Sequence, residues 1–300
     1  MTGEDANVVV GVDGSTSALR ATAWAAQTAV RWHRPLLLTS VLDPPTPYGT
    51  GIGLRADRFV ELETEGREWL DRARAVAERT TVDHHHTEVG TELVVGEVSS
   101  VLRERARDAF RVVVGGDRPV GETGTSASTA MALLPHAACP VAVVRWSGED
   151  AEPPQHGPVV VGVDGSSASA EAMLVAFEEA AVLDAVLVAV HAEDSSTRQR
   201  LRQRSRGAWR EGEIADRITL AERFADMRQG YPEVTVEPVV TQGSATSALL
   251  KYAESARLLV VGTTGHGELS GRLLGSTSHA LVRSAPCPVL VVPDRAHTSG

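Results

Sequence analysis

The chain repeats its own sequence, and this duplication constrains the fold more than any other feature. The octapeptide VVVGVDGS occurs at residues 8–15 and again at 159–166. VVVG at 112–115 is matched by LVVG at 259–262, and CPVAVV at 139–144 is matched by CPVLVV at 287–292. Three landmarks in the same order, about 150 residues apart, predict two copies of one domain. We place the first domain at residues 1–146 and the second at 157–300, joined by an acidic, proline-bearing linker.

Each copy alternates short β-branched segments with helical segments. VVVGVD is typical of a strand buried on both faces of a parallel sheet, and Ser15 and Ser166 follow it as candidate helix N-caps. The order βαβαβαβαβ predicts an α/β fold with two tandem doubly wound parallel five-stranded sheets flanked by helices, Rossmann-like in design. Helical spacing predicts which residues of the first helices face the sheet: Leu19, Ala23, Ala26 and Val30, and, in the second copy, Ala170, Leu174, Phe177 and Ala181.

The composition argues against several classes of function. The net charge of −10 and the sequence pI near 5.5 argue against a nucleic-acid-binding protein. No apolar segment approaches the roughly 18 residues of a membrane span, and the first residues do not resemble a signal peptide, so we expect a cytoplasmic protein without a membrane partner. The two cysteines, Cys139 and Cys287, are too few for a disulfide scaffold. We predict that both are buried packing residues.

A glycine-rich segment after the fourth strand of the second copy predicts a phosphate-binding loop. Its spacing is Gly262, two residues, Gly265, nine residues, then Gly275 and Ser276. In a doubly wound sheet, ligands bind at the carboxyl ends of the strands, where this loop lies. Glycine permits positive φ and lets a phosphate approach the main chain closely. Residues 276–278 can then open a helix whose first N–H groups attract an anion.

Two other nucleotide-binding patterns do not fit. A P-loop requires G-x-x-x-x-G-K-[ST], and the single lysine, Lys251, lies in a predicted helix. A dinucleotide fold places G-x-G-x-x-G after its first strand, where this chain has G-V-D-G-S. The sequence therefore argues against a P-loop NTPase and against a dinucleotide-dependent dehydrogenase.

Taken together, the motifs resemble the universal stress protein family. V-G-V-D-G-S, G-x2-G-x9-G-S and the closing C-P-V-L-V-V carry the resemblance, which covers both copies as in a tandem member. It implies an adenine nucleotide alpha hydrolase-like fold and ATP binding, with or without Mg²⁺, in the second copy, with Asp164 against the nucleoside. The candidate binding residues are Gly162, Asp164, Gly262, Gly265, His266, Gly267, Arg272, Gly275, Ser276 and Thr277.

Other interpretations of these residues stay open. The glycines can simply form a turn between strand and helix, and Asp164 can simply shape the turn before the first helix. His266 and Arg272 either contact a phosphate or lie in solvent.

The first copy departs from the pattern. It keeps Asp13, Gly115 and Ser128, but Ala127 replaces the third glycine and Arg118 replaces the second. A Cβ atom opposes positive φ and crowds a phosphate, whereas an arginine can donate to one. Asp13, Gly115, Arg118 and Ser128 are therefore weaker candidates, and we predict one ATP per chain, in the second copy.

Two further clusters contain residue types that can bind ligands. The histidines at 84–86 can direct at most two side chains to one side of an extended chain, and no acidic or thiol partner stands at ligand spacing. We therefore predict no metal site. The arginines of residues 198–210 either reach over bound phosphates or lie in solvent beside acidic residues, so their role stays open.

No nucleophile, base and acid occur in a recognisable arrangement. We therefore predict an ATP-binding, nucleotide-responsive stress regulator rather than an efficient enzyme. The alternatives are a nucleotide-independent interaction scaffold and a slow ATPase. The apolar CPVxVV strands are predicted sheet edges, and family members commonly pair through this strand. The resemblance thus implies that the two domains pair through their last strands, and it leaves a homodimer of whole chains open.

Overall fold

The computed structural model describes residues 6–43, 56–83, 87–116, 126–145, 154–193, 227–265 and 274–294. The chain divides into two compact units, Met1–Arg145 and Trp146–Gly300. Among the described helices, none is long and apolar enough to cross a lipid bilayer.

The first unit alternates strands and helices along its whole length. Its elements are β1 Val8–Gly11, α1 Thr16–Arg31, β2 Leu36–Leu42, α2 Ala56–Thr81, β3 Val89–Val95, α3 Val98–Arg105, β4 Arg111–Gly115, α4 Ser126–Leu133 and β5 Val141–Val144. A short 3₁₀ turn, Leu134–His136, precedes β5.

The second unit repeats this order in its described part. Its elements are β6 Val159–Gly162, α5 Ser167–Leu183, β7 Leu187–Glu193, β8 Val236–Gln242, α6 Ala245–Ala253, β9 Leu258–Gly262, α7 Ser276–Ser284 and β10 Val289–Val292. The helix predicted between β7 and β8 lies mostly outside the described residues.

Within each unit the described strands form one parallel sheet. The order is β3-β2-β1-β4-β5 in the first unit and β8-β7-β6-β9-β10 in the second. In the first unit α1 contacts α2 and α3 contacts α4, as expected for helices on the two faces of a doubly wound sheet. The predicted α/β architecture is confirmed. In each unit the strand order reverses between the first and fourth strands, which is where such folds bind ligands.

The predicted caps are present, whereas the predicted phase of the first helices was wrong. Ser15 and Ser166 accept hydrogen bonds from the backbone N–H groups of Ala18 and Ser169. Of the eight residues predicted to face the sheet, Ala26 and Phe177 are fully buried and the others are only partly buried. The buried positions are instead Ala18, Ala21, Ala25, Ala29, Ala168, Ala172, Ala176 and Ala180, among others. Both helices carry alanine on nearly every side, so hydrophobicity alone does not define their phase.

A glycine at the end of the fourth strand lets the first helix of each unit lie close to the sheet. A Cβ on Gly262 would lie 2.8 Å from the backbone C and O atoms of Ala168, in the first turn of α5. A Cβ on Gly115 would lie 2.7 Å from the backbone C of Ser17, in the first turn of α1. These distances are shorter than packed carbon atoms adopt. Close packing of helix against strand thus requires glycine at both positions.

Candidate functional site

The turn after β6 is built by Asp164. Its Oδ1 atom accepts hydrogen bonds from the Ser166 backbone N–H at 3.0 Å and from the Ser166 hydroxyl at 2.6 Å. Gly165 completes the turn with φ of 88°, a conformation that favours glycine. The aspartate therefore shapes the entry to α5, as the structural interpretation of this residue predicts.

The other carboxylate oxygen of Asp164 faces the glycine-rich loop. A Cβ on Gly265 would overlap Oδ2 of Asp164, so glycine at residue 265 lets the loop lie against the carboxylate without displacing it. Two motifs about 100 residues apart in the sequence thus meet at the carboxyl edge of the sheet, beside the point where the strand order reverses.

The two ends of the glycine-rich loop are held side by side. The Gly275 backbone N–H donates to the Thr263 carbonyl at 2.7 Å, and the Thr263 N–H donates to the Val292 carbonyl at 3.0 Å. The buried Ser278 hydroxyl donates to the Gly262 carbonyl at 2.6 Å. Ser278 therefore stabilises the base of the loop. Its hydroxyl is engaged by the main chain.

Helix α7 begins at this loop with its first N–H groups uncapped by side chains. Its N-cap is Gly275, which makes no side-chain cap hydrogen bond. Ser276 is exposed and Thr277 is half-buried. The first N–H groups of a helix have no intrahelical partner and carry the positive end of its dipole. The arrangement can therefore accept an anion beside Gly275.

Gly262, Gly265 and Gly275 do not adopt the positive φ that glycine permits. Gly275 has φ of −59° and ψ of 148°, and the left-handed glycines of the second unit do not include Gly262 or Gly265. At Gly262 and Gly265, the absence of a side chain instead lets a neighbouring residue lie close to the main chain. A Cβ on Gly275 would lie 3.4 Å from the Thr263 carbonyl oxygen, an ordinary contact. Alanine would therefore fit the backbone there, so Ala127 does not disqualify the first unit on backbone grounds.

The first unit builds the same turn, and an aromatic side chain lies on it. Asp13 Oδ1 accepts from the Ser15 N–H at 3.1 Å and from the Ser15 hydroxyl at 2.5 Å, matching the second unit. Gly14 has φ of 79°, and a Cβ on it would lie 2.5 Å from Nε1 of Trp69. The half-buried indole of α2 thus lies directly on the turn that follows β1.

Comparison with known proteins establishes the family of the chain. A model described as the universal stress protein family matches residues 6–145 and again residues 156–293. The chain belongs to the universal stress protein family. It is a tandem member, with one family domain in each unit.

Relatives of similar length share the tandem organisation. Universal stress protein Rv2005c of Mycobacterium tuberculosis is 35% identical over 304 residues, covering 95% of this chain and 96% of the relative. Universal stress protein Rv2623 of the same organism is 32% identical over 288 residues and covers 95% of both chains. A crystal structure of a universal stress protein from Archaeoglobus fulgidus aligns with a TM-score of 0.67 at 15% identity, over 96% of this chain and 98% of that one. At that identity the likeness supports the universal stress protein fold alone.

Several predicted residues lie outside the described part of this universal stress protein. They are His266, Gly267, Arg272, Arg118, the histidines at 84–86 and the arginines of 198–210. Ser128 lies in the first turn of α4. Gly162 ends β6, where a Cβ would lie 3.0 Å from Cδ1 of Leu249, so its described contact is with helix α6. Within the described ranges, no three histidine, cysteine or acidic residues come together as a metal ion would require.

Both cysteines are buried, as predicted. Cys139 and Cys287 are free thiols with 3% and 2% exposure. Burial raises the pKa of each thiol to about 12. Because the thiolate is the reactive form, neither residue is suited to redox chemistry in the folded protein.

Two polar residues at the carboxyl edge of the second unit were missed by sequence reasoning. The Nδ1 atom of His191, at the end of β7, lies 2.8 Å from the Val163 carbonyl oxygen. Asp294, which follows β10 and is 7% exposed, accepts from the Ser167 hydroxyl at 2.7 Å. A signal was available for both, because each lies where a predicted parallel strand ends.

Proposed function

We propose that this universal stress protein binds ATP through its second unit and acts as a nucleotide-responsive stress regulator. The observation that carries the proposal is the meeting of Asp164 with Gly265. It brings a carboxylate suited to sugar hydroxyls next to a main-chain loop suited to phosphates. A nucleotide needs both kinds of contact within the length of one molecule.

The phosphate end of the proposed site is formed by main-chain groups. Gly275 leaves the start of α7 without a side-chain cap, and Ser276 adds an exposed hydroxyl. Anions bind such helix N-termini through N–H groups and the helix dipole, without any lysine. A bound Mg²⁺ would neutralise part of the phosphate charge.

The proposed stoichiometry is one ATP per chain. It is supported by Gly265, where a Cβ would overlap Oδ2 of Asp164. The first copy has Arg118 at the equivalent position of its sequence. An arginine does not permit the close approach to the carboxylate that glycine permits.

The proposal also covers how the two units pair and in which compartment the protein acts. We propose that the CPVxVV strands β5 and β10 pair the two units, since both are apolar and each is the last strand of its own sheet. Separately expressed halves should then associate at micromolar concentration, and two stable monomers that ignore each other would contradict this. The two free cysteines suit a reducing, cytoplasmic setting.

Calorimetric titration of nucleotide-stripped protein with ATP tests the binding proposal. We expect one site in the parent chain and about a tenfold weaker affinity in Asp164→Ala, equivalent to about 1.4 kcal/mol. Asp13→Ala is the matched control, because it removes the same two turn hydrogen bonds from the first unit. Equal losses in both variants, or two equivalent sites in the parent, would contradict the assignment.

A second variant tests the phosphate end. Gly275→Val has a permitted φ and places its branched side chain where the phosphates would approach. We expect at least a tenfold loss of ATP affinity with an unchanged circular dichroism spectrum. Chromatography of small molecules released on denaturation distinguishes the alternatives. An adenine nucleotide supports ATP binding, and a protein that carries and binds none supports the interaction scaffold.

A further inference from the structure

We propose that β3 is an open sheet edge through which a second copy of this chain pairs, giving a closed dimer by antiparallel β3–β3 contact. The inference concerns assembly and does not depend on nucleotide binding. A strand at the end of a sheet carries a row of backbone N–H and C=O groups that no neighbouring strand uses. Another extended strand can satisfy that row by adding itself to the sheet.

Alternate residues of β3 present their backbone groups at the free edge. The Leu36 N–H donates to the Glu88 carbonyl just before β3, and the Gly96 N–H donates to the Leu42 carbonyl just after it. Because the direction of these groups alternates along a strand, the even-numbered residues bond to β2. The outward-facing groups therefore belong to the odd-numbered residues, which are Val89, Thr91, Leu93 and Val95.

Most of this outward row has no partner within the described chain. The Val89 carbonyl accepts from Nη2 of Arg74 at 3.5 Å. Among the described residues, none bonds to the outward backbone groups of Thr91, Leu93 or Val95. Val95 is 55% exposed, and Thr91 is exposed as well. The edge from Thr91 to Val95 is therefore accessible to a second strand.

The matching edge strand of the second unit is closed by a proline. Register places Pro238 of β8 at the position that Thr91 occupies in β3. The Leu187 N–H donates to the Thr235 carbonyl, so the even-numbered residues of β8 face outward, and Pro238 is one of them. A proline there costs the sheet no hydrogen bond but offers no N–H donor to an incoming strand. The sequence of β3, VGTELVV, lacks this protection.

A second copy of the chain fits the edge of β3. Strands related by a two-fold axis place the same residues in contact on both chains. With Leu93 on the axis, Thr91 of each chain lies opposite Val95 of the other, and residues paired in this way exchange both of their N–H···O bonds. The exposed Val95 side chain of each chain is then partly covered, which adds a hydrophobic contribution.

The other ways of placing the axis are less favourable. An axis at Glu92 would set two glutamates opposite each other, and like charges in that position are destabilising. An axis at Thr91 would require the Val89 carbonyl, which Arg74 already uses. An axis at Leu93 leaves the Arg74 contact in place and sets Glu92 opposite Val94. The side chains of β3 therefore favour this register.

The closure of β8 limits the assembly to a dimer. If β5 and β10 pair with each other and Pro238 protects β8, β3 remains the open edge of the described sheets; this step rests on the pairing proposed for β5 and β10. An edge that pairs only with its own copy gives a closed two-fold dimer. Pairing between two different edges would instead repeat from chain to chain and build a filament. Pro238 therefore prevents such growth.

Sedimentation of the full chain from about 1 to about 100 µM tests the inference, and we expect a dimer that dissociates in the micromolar range, as small interfaces do. Thr91→Pro gives β3 the proline of β8 and should weaken the dimer about a hundredfold, because each chain loses an N–H donor to the other. Val89→Pro is the matched control. It also places a proline at an outward position, at the first residue of β3, but outside the paired segment. Pro238→Thr should produce species larger than a dimer.

Three results would overturn the inference: a parent that is monomeric at about 100 µM, a dimer that Thr91→Pro leaves unchanged, and a dimer that Val89→Pro weakens equally. A Pro238→Thr variant that stays dimeric would overturn the role given to Pro238. All of these results are separate from ATP binding and from the association of the two halves.

If Thr91→Pro does not fold, amide hydrogen exchange of the parent decides. A higher protein concentration should protect the outward N–H groups of Leu93 and Val95. Those of Val240 and Gln242, which face outward from β8, are the internal control and should gain no protection. Exchange at Leu93 and Val95 that is independent of concentration would contradict the proposed contact.

Discussion

In the first unit the Trp69 indole lies against Gly14 of the turn after β1, and in the second unit Gly265 lies against Asp164 of the equivalent turn. The second-unit counterpart of α2 and the first-unit counterpart of Gly265 lie outside the described residues. The turns themselves are alike, with an aspartate bonded to a serine two residues later and a left-handed glycine between them. Because the aspartate makes the same hydrogen bonds in both units, it contributes to the fold of each. Its presence alone therefore does not identify a ligand site, and the surrounding residues must be considered.

The interior of the two units also differs where a charged residue in one replaces an apolar residue in the other. Register places Arg111 at the first-unit position of Leu258. Arg111 is 2% exposed, and its guanidinium carbon lies 5.2 Å from the ring centre of Phe110 and 5.7 Å from that of Trp24. Cation–π contacts of this kind help to stabilise a buried arginine. The duplicated framework thus tolerates very different side chains at one register position.

The largest expected effect on stability concerns the glycine that ends the fourth strand of both units. Gly262→Ala places a Cβ 2.8 Å from the Ala168 backbone, which cannot move without displacing α5. We expect a loss of about 3 kcal/mol in the free energy of unfolding, measured by urea denaturation, and a similar loss for Gly115→Ala. Gly11→Ala is the control, because its Cβ would lie 3.4 Å from a flexible Leu102 methyl group. A large loss of stability in only one of the two variants would show that the two glycines do not have equivalent roles.

The next effect concerns the buried thiols, again in both units. Burial raises the pKa of Cys139 and Cys287 from 9.0 to about 12. The unfolded chain loses these protons above pH 9 while the folded chain keeps them, so stability falls as pH rises between 9 and 12. We expect a loss of about 1.4 kcal/mol per thiol at pH 10. The double variant Cys139→Ala, Cys287→Ala should lack this part of the pH dependence, and an unchanged alkaline slope would contradict the prediction.

An ion pair also distinguishes the two units. Among the equivalent described positions, it is present in the first unit and absent from the second. Arg105 donates to both carboxylate oxygens of Glu92, at 2.8 and 3.0 Å, and Thr39 donates at 2.8 Å. The register-equivalent strand residue in the second unit is Val239. Burial raises the pKa of Glu92, but the hydrogen bonds from Arg105 and Thr39 outweigh burial, so the pKa is lowered.

Glu92→Gln should therefore cost about 1 kcal/mol at neutral pH. A lowered carboxyl pKa stabilises the fold above its ordinary value of 4.5 and loses that effect as the pH falls below it. Urea denaturation of parent and variant should accordingly converge in acid. Glu63→Gln, which breaks an exposed pair with Arg67 on α2, is the control and should change stability less. A Glu92→Gln effect independent of pH would contradict the ion-pair explanation.

The smallest effect compares two helix caps. Glu97 accepts from the backbone N–H groups of Ser99 and Ser100 at 2.9 and 2.8 Å, whereas Ser244, which caps α6, accepts one N–H at 3.5 Å. We expect Glu97→Ala to cost about 1 kcal/mol and Ser244→Ala about 0.5 kcal/mol, measured as shifts in the urea midpoint. A larger loss for Ser244→Ala would reverse this ranking.

The sequence allowed the order of elements, the serine caps and the buried cysteines to be predicted, because each depends on local pattern or on the repeat. The helix phase could not be read from α1 and α5, since alanine surrounds both. The contacts of Trp69 with Gly14 and of His191 with Val163 join residues that are far apart in the chain. Such contacts depend on the register and packing of the whole unit, which no local motif records.

The close approach of a helix to a glycine in each unit also limits how the two halves could diverge after duplication. Each glycine accommodates its own helix, so a substitution in one copy receives no compensation from the other. Close packing therefore requires glycine at both Gly115 and Gly262, whereas the register-equivalent residues Ser40 and His191 carry different side chains. A duplicated chain of this kind can gain a new specificity in one half without loosening the framework of the other.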